Sequence, residues 1–288
     1  MKPNSLASLP EGFRKAGLIT KEHAKTFYFS SHLLPKPKKQ AAYAVYALCR
    51  LSDDSVDKGK AASLPGRLER IRKDIDKAYS SDRLQESLLA AFRETVRRYD
   101  IPKDYFADLL KGIETDLTKT RYRDFDELYG YCYNVAGVVG LIMLKIYGYK
   151  EKKAEGYAVD LGIAMQLTNI LRDIKEDYLR GRIYLPQDEM RRFGVPEETI
   201  ADQKLEPNLI DLLKFQIKRA REYYQRSALG IALISDGRAR LVTGMMKDIY
   251  AGILDSIEEN GYDVFSQRAH VTIGGKLDIT LRTILQRG

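Results

Sequence analysis

Residues 163–177 read Ile-Ala-Met-Gln-Leu-Thr-Asn-Ile-Leu-Arg-Asp-Ile-Lys-Glu-Asp, and their spacing decides the fold class. Ile163, Leu167, Ile170, Leu171 and Ile174 recur at three- and four-residue intervals, the period of one helix face. Asn169, Asp173 and Asp177 fall at i, i+4 and i+8, so the same helix carries a polar stripe beside its apolar one. Carboxylates in an apolar setting require partners.

A second acidic stripe lies upstream, in Asp53-Asp54-Ser55-Val56-Asp57. On a helix Asp53 and Asp57 differ by about 40° in direction and about 6 Å in height. Such a like-charged pair costs a few tenths of a kcal/mol unless a cation sits between its members. A solvated helix end is the ordinary setting for this spacing. Here, however, Tyr43 to Leu51 are nearly all apolar apart from Arg50, so the helix reads as buried. Two acidic stripes opposed across a helical cavity would form an oxygen site for Mg²⁺, an ion that takes one or two carboxylates plus substrate phosphates. The implied ligand is a diphosphate.

The rest of the chain is helical text. Helices are expected over 20–31, 37–57, 65–79, 83–99, 103–118, 124–147, 151–179, 208–234 and 238–260, and almost nothing alternates with period two. Asp124 followed by Glu127 resembles an N-cap with a capping box, and Pro35 and Pro37 suit the entry to a helix. Gly181 to Pro207 and the tail after Asn260 are expected to be irregular. No composition shift or repeat divides the chain. It reads as a single all-α domain over 1–288, with 1–19 and 264–288 peripheral.

Composition excludes several classes. The chain has 288 residues, is 44% hydrophobic and holds only two cysteines, Cys49 and Cys132, too far apart for a CxxC metal or redox motif. His23, His32 and His270 form no ligand spacing. The N-terminus lacks the long apolar core of a signal peptide, and Val135 to Gly148 contains Lys145 and is too short to span a bilayer. A cytoplasmic chain is expected, with peripheral contact at the inner face of the membrane. The net charge of +8 suits anionic ligands or an anionic surface. A basic nucleic-acid- or membrane-binding helical module is the non-enzymatic alternative. Nucleic acid is disfavoured because the basic residues are dispersed and no reading motif is present.

Four segments together, DDSVD (53–57), RDFDELYGYCYNVAGVVG (123–140), NILRDIKED (169–177) and GRIYLPQDE (181–189), resemble the squalene and phytoene synthases, over a stretch from about His23 to Asp263. The resemblance implies an isoprenoid-synthase helical bundle around a central apolar cavity. It also implies head-to-head condensation of two prenyl diphosphates through a cyclopropylcarbinyl diphosphate. Two geranylgeranyl diphosphates giving phytoene lead. The alternative is a thirty-carbon synthase making dehydrosqualene, squalene or hydroxysqualene from farnesyl diphosphate, and a hydrolase releasing a prenyl alcohol is a more distant one.

By the same resemblance Asp53, Asp57, Asn169, Asp173 and Asp177 are expected to hold Mg²⁺, with Mn²⁺ as a substitute. Arg50, Arg172, Tyr46, Tyr250 and Arg268 are expected at the diphosphate, and Tyr184 near an active-site flap. Phe27, Tyr28, Phe29, Val135, Val139, Ala158, Leu161, Met165 and Gln166 are cavity-wall candidates. Ser31, one turn after Phe27, is the candidate for chain-length control. Gly137 and Gly140 sit in helical text, where each costs about 1 kcal/mol relative to alanine; room for a chain or close helix packing would each explain them.

Overall fold

A computed structural model describes residues 8–54, 64–80, 84 and 86–287. It is all-α. Among the described residues there is no strand, only two isolated bridge pairs, Arg121 with Ile183 and Tyr149 with Ile234. The first helices are α1 (Leu9–His23), α2 (Lys25–Ser30), α3 (Lys36–Asp54), α4 (Leu64–Ser80) and α5 (Ser87–Arg98). Next come α6 (Lys103–Thr118), α7 (Phe125–Cys132), α8 (Val138–Tyr147), α9 (Ala154–Arg172) and α10 (Ile174–Leu179). The last are α11 (Gln187–Arg192), α12 (Glu197–Ala201), α13 (Pro207–Ile231), α14 (Gly237–Glu259) and α15 (Ile273–Arg287).

The local signals explain several of these starts. The side chain of Asp124 accepts the Glu127 N–H at 2.9 Å, while Glu127 Oε2 accepts the N–H of Arg123, one residue before the cap, at 2.6 Å. Pro37 lies in the first turn of α3, where a missing N–H costs nothing. Asp236 caps α14 by accepting the Ala239 N–H at 3.0 Å.

Four expectations are corrected. The helix expected over 20–31 is instead α1 followed by α2, because Ala24 leaves the helical region. The tail after Asn260 is irregular only as far as α15. The stretch from Gly181 to Pro207 contains α11 and α12, whose first turns start just after Pro186 and Pro196. Between α7 and α8, Tyr133–Gly137 forms a π-helical turn, so Phe125–Tyr147 is one helical run, long and apolar enough by length and composition to cross a membrane. That run is spent inside the bundle. Leu128, Cys132, Val138 and Ile142 pack into the core, and Val135 and Val139 face a cavity.

At the centre, α9 packs against α8, α13 and α14, and α3 packs against α1, α5 and α8. One apolar cluster gathers α7, α9, α13 and α14, and another gathers α3 to α6 with α8. Burying each large aliphatic side chain in these clusters contributes about 1.5–3 kcal/mol. Within 1–19, Gly12 and Ala16 of α1 are buried, and a Cβ on Gly12 would lie 2.0 Å from the Ser87 carbonyl of α5. Within 264–288, Val264, Phe265 and Ala269 join the core while α15 lies against α14.

Gly140 and Gly162 permit the approach that forms the central wall. A Cβ on Gly140 would stand 2.2 Å from the Ala158 carbonyl oxygen, and one on Gly162 would stand 2.2 Å from that of Ala136. Close packing therefore explains Gly140. Gly137 is looser, with side-chain atoms at 3.2 and 3.3 Å.

Candidate active site

Between the two apolar clusters lies a cavity of about 700 Å³ walled by α2, α3, α6, the π turn, α8, α9, α13 and α14. Its apolar lining includes Phe27, Val135, Val139, Ala158, Leu161 and Met165, and its polar lining includes Tyr46, Arg50, Gln166, Asn169 and Tyr250. The π turn places Val135 and Ala136 on this wall. An extra residue in a helical turn shifts side-chain register, and such turns recur at functional sites.

The polar stripe of α9 survives a break in the helix. α9 ends at Arg172, yet the Asp173 N–H donates to Asn169 O at 2.9 Å and the Asp177 N–H to Asp173 O at 2.8 Å. The three side chains consequently keep their one-turn spacing.

Each of the three has a different environment. Two guanidinium groups meet on Asp173. Arg172 Nε and Nη2 donate to Oδ1 and Oδ2 at 2.7 and 2.5 Å, and Arg268 Nε and Nη2 donate to the same atoms at 2.7 and 3.0 Å. Burial pushes this carboxyl up, but the two guanidinium groups outweigh it and hold it below the ordinary aspartate value. A carboxylate offers about four acceptor positions, so both oxygens are fully used.

Asp177 has no such clamp; Arg180 Nη1 stands 3.9 Å from its Oδ1. Burial, reinforced by the charge of Asp173, pushes Asp177 up to about 6. Asn169 donates from Nδ2 to Gln166 Oε1 at a long 3.5 Å, while its buried Oδ1 has no hydrogen-bond partner. A buried amide oxygen left open costs free energy. It offers one open ligand atom to an oxygen-seeking cation, two turns along the stripe from the unclamped Asp177, although among the described residues no three acidic, histidine or cysteine side chains gather into a metal cluster.

Asp53 falls near the end of α3, and its carboxylate lies outside the described side chains; Asp57 lies wholly outside the described residues. Arg50 and Tyr46, one and two turns earlier, line the cavity and fix the direction from which that helix approaches it.

A second carboxylate site went unnoticed in the sequence. Asp116, at the end of α6, lines the cavity and accepts from Tyr184 Oη at 2.8 Å and from Tyr131 Oη at 3.1 Å. Burial pushes its carboxyl up, against the lowering by Tyr184, Arg182 and Tyr131. The rings of Tyr131 and Tyr184 stack at 5.2 Å, and Tyr122 stacks on Tyr184 at 5.6 Å. Burial drives all three phenols far above their ordinary value, so they stay protonated, Tyr131 and Tyr184 as donors to Asp116. The segment carrying Tyr184 is zipped onto residues 120–123: Ile183 N–H donates to Thr120 O at 3.0 Å and Gln187 N–H to Tyr122 O at 2.9 Å. Arg121 fastens it further, through Gly181 O at 2.8 Å and the Glu197 carboxylate at 2.8 Å. An isolated Asp in Glu-Thr-Asp-Leu carries no spacing signal. Only the fold brings it to two tyrosines 15 and 68 positions away.

Three wall candidates are displaced. Ser31 is fully buried but off the cavity, its hydroxyl donating to Tyr28 O at 2.9 Å and lying 2.6 Å from Tyr43 Oη. Tyr28 stacks on Tyr43 at 5.6 Å, and Phe29 points outward, 43% exposed. Tyr28 and Phe29 follow Phe27 by about 100° and 200° around α2, and Ser31, whose N–H still bonds Phe27 O, is taken up by Tyr43 of α3. Phe27 remains on the wall, packed edge-on against Tyr43 at 6.1 Å.

The family model for squalene/phytoene synthase matches residues 20–274. The chain is 40% identical to a chloroplastic phytoene synthase 1 of Zea mays, over 93% of this chain and 67% of that protein. It is 37% identical to a 15-cis-phytoene synthase of Synechococcus elongatus, over 95% and 92%. Among solved structures it is similar to a dehydrosqualene synthase in complex with ligand, with a TM-score of 0.89 and 29% identity covering 96% and 97% of the two chains.

Proposed function

Since this chain belongs to the squalene/phytoene synthase family, we propose that it joins two geranylgeranyl diphosphates head to head, giving phytoene by way of a cyclopropylcarbinyl diphosphate. One observation carries the chemistry: the carboxylate and guanidinium groups around Asp173 and Asp177 stand beside an apolar cavity of about 700 Å³. The twenty-carbon substrate is supported by the relatives, which are phytoene synthases at 37% and 40% identity.

The residues divide the work. Asp53, Asp57, Asn169 and Asp177 would hold Mg²⁺, or Mn²⁺ in its place, and Asp173 would join them once an arginine leaves it. The ion, when bound, neutralises charge developing on the departing diphosphate. Arg50, Arg172 and Arg268 orient that diphosphate through charge-assisted hydrogen bonds. The C1–O bond of one substrate breaks with its electron pair passing to diphosphate, and the double bond of the second substrate attacks the allylic cation. Loss of a proton closes the cyclopropane. A second ionisation, rearrangement and proton loss give the linear product without a reductant.

The cavity protects these cations from water. Phe27, Tyr46 and Tyr250 line it with aromatic rings, a residue type whose π-systems attract positive charge. Asp116 is the only carboxylate among the described residues lining it, and its raised affinity for protons suits an acceptor there. Tyr131 and Tyr184 hold that carboxylate in place. The reaction is assigned to the cytoplasmic face of a membrane, where the net charge of +8 favours contact with anionic lipid.

The test is product analysis with labelled geranylgeranyl and farnesyl diphosphates, supplied separately without reductant. Phytoene from the first is expected. A thirty-carbon product formed in preference from the second would replace the proposal by its thirty-carbon alternative, and release of prenyl alcohol alone would make the protein a hydrolase.

A further inference from the structure

The C-terminal helix α15 leaves one face uncovered. Ile273, Leu277, Leu281 and Leu285 recur every four residues and are 80, 50, 61 and 84% exposed. On its other side Thr283 is buried, and Ile279 Cδ1 lies 3.8 Å from where a Cβ on Gly252 of α14 would stand. The helix is therefore seated, and its aliphatic stripe is a second apolar face that the described residues leave uncovered. Four aligned large aliphatics form a contiguous patch of the kind that marks an interaction surface.

The stripe adjoins the wall of the cavity. Lys276 Nζ of α15 donates to Thr26 Oγ1 of α2 at 3.2 Å. On that short helix Phe27 faces the cavity while Phe29 faces solvent. Arg268, which clamps Asp173, precedes the start of α15 by five positions. The surrounding charge is positive: α15 carries Lys276 and Arg282 against Asp278, and near α2 Lys21 and Lys25 are exposed against Glu22. A helix with an aliphatic face and basic flanks suits the interface of an anionic bilayer. A twofold pairing of the same face would instead bring two sets of cations together.

We propose that the Ile273–Leu285 stripe of α15 is the membrane-docking face of this protein, lying among the acyl chains of an anionic bilayer beside the α2 wall of the cavity. This rests on the prenyl-transfer reading in one respect: substrates and product with long apolar chains partition into the bilayer, so docking at this wall shortens their path.

The test compares the full chain with L277Q/L281Q/L285Q, whose altered side chains are all exposed. Cosedimentation is measured with phosphatidylcholine vesicles and with vesicles also containing phosphatidylglycerol, at low and high salt. The parent should bind the anionic vesicles at low salt, and the variant should lose affinity by about tenfold or more. Helicity and turnover in detergent micelles should be retained by the variant. Equal vesicle binding by parent and variant overturns the proposal, as does failure of the parent to bind. A variant that changes only its oligomeric state assigns the stripe to a second copy of the chain and also overturns it. Turnover of the parent in micelles is read separately, so its absence would reject the prenyl-transfer reading while vesicle binding still decides the docking face.

Discussion

Arg268 closes on Asp173 from 95 positions further along the chain, with Nε 2.7 Å from Oδ1 and Nη2 3.0 Å from Oδ2. Arg172 occupies the same two oxygens from the adjacent position. The arrangement stores two guanidinium groups one turn beyond Asn169 of the cavity lining and exhausts the acceptor capacity of one carboxylate. An arriving diphosphate would compete with Asp173 for these arginines, and each one released would open Asp173 to a cation.

Arg268→Gln should therefore raise KM for the prenyl diphosphate by about tenfold or more, corresponding to loss of one charge-assisted hydrogen-bonding group at about 1.5–3 kcal/mol. Arg268 is 54% exposed, so its ion pair adds little stability, and Tm should move by only a degree or two. Initial rates across substrate concentration, with a thermal melt, check both. An unchanged KM would remove Arg268 from the diphosphate site.

Asp177→Asn should lower turnover by orders of magnitude, because it removes a ligand charge while preserving side-chain volume. The fold should persist and its Tm should not fall, since repulsion with Asp173 is relieved. Chelation of divalent ions should abolish turnover of the parent, with Mg²⁺ restoring it. Full activity after chelation would sink the metal assignment, and a variant with parental rates at limiting Mg²⁺ would show that Asp177 is no ligand.

Gly162→Ala should destabilise the protein by about 1–3 kcal/mol, because the added methyl meets the Ala136 carbonyl at 2.2 Å and the obstacle is backbone. Gly156→Ala on the same helix, with nothing within 4 Å of its Cβ, should be neutral or slightly stabilising. Chemical denaturation of the pair isolates contact from helix propensity. Equal effects would show that α9 does not approach the π turn so closely.

Asp236 predicts an acid limb of the stability profile. Burial pushes its carboxyl up, but the Ala239 N–H and the Lys38 ammonium, 3.0 Å from Oδ2, outweigh that and hold it below its ordinary value. A depressed carboxyl stabilises the fold above its unfolded pKa, and the contribution disappears as pH falls through the lower folded value. Asp236→Ala should cost about 1–2 kcal/mol at pH 7 by removing the α14 cap, and the difference from the parent should shrink below pH 4. Asp236→Asn keeps the cap acceptor and should lose less. Urea melts at pH 7 and pH 3.5 test this, and a pH-independent difference would contradict it.

The sequence by itself determined the helical class, because three- and four-residue periodicity is a local property written in the long helices α3 to α9, α13 and α14. It also determined the Asn169, Asp173 and Asp177 stripe, since continued i→i−4 bonds kept that spacing through the break after Arg172. The capping at Asp124 was equally local. Relationships across the fold were not legible. Asp116 became a site residue only when Tyr131 and Tyr184 were folded onto it, and Arg268 met Asp173 only after α14 brought the chain back across α9. Tertiary structure also decided that Ser31 lies beside Tyr43 while Phe27 faces the cavity: the two stay one hydrogen-bonded turn apart on α2, and the facing helix α3 supplies Ser31 with the Tyr43 hydroxyl. The physical reason is one of range. Helix period and caps act over about four residues, whereas burial, carboxylate pairing and close helix contact depend on neighbours that only the folded chain supplies.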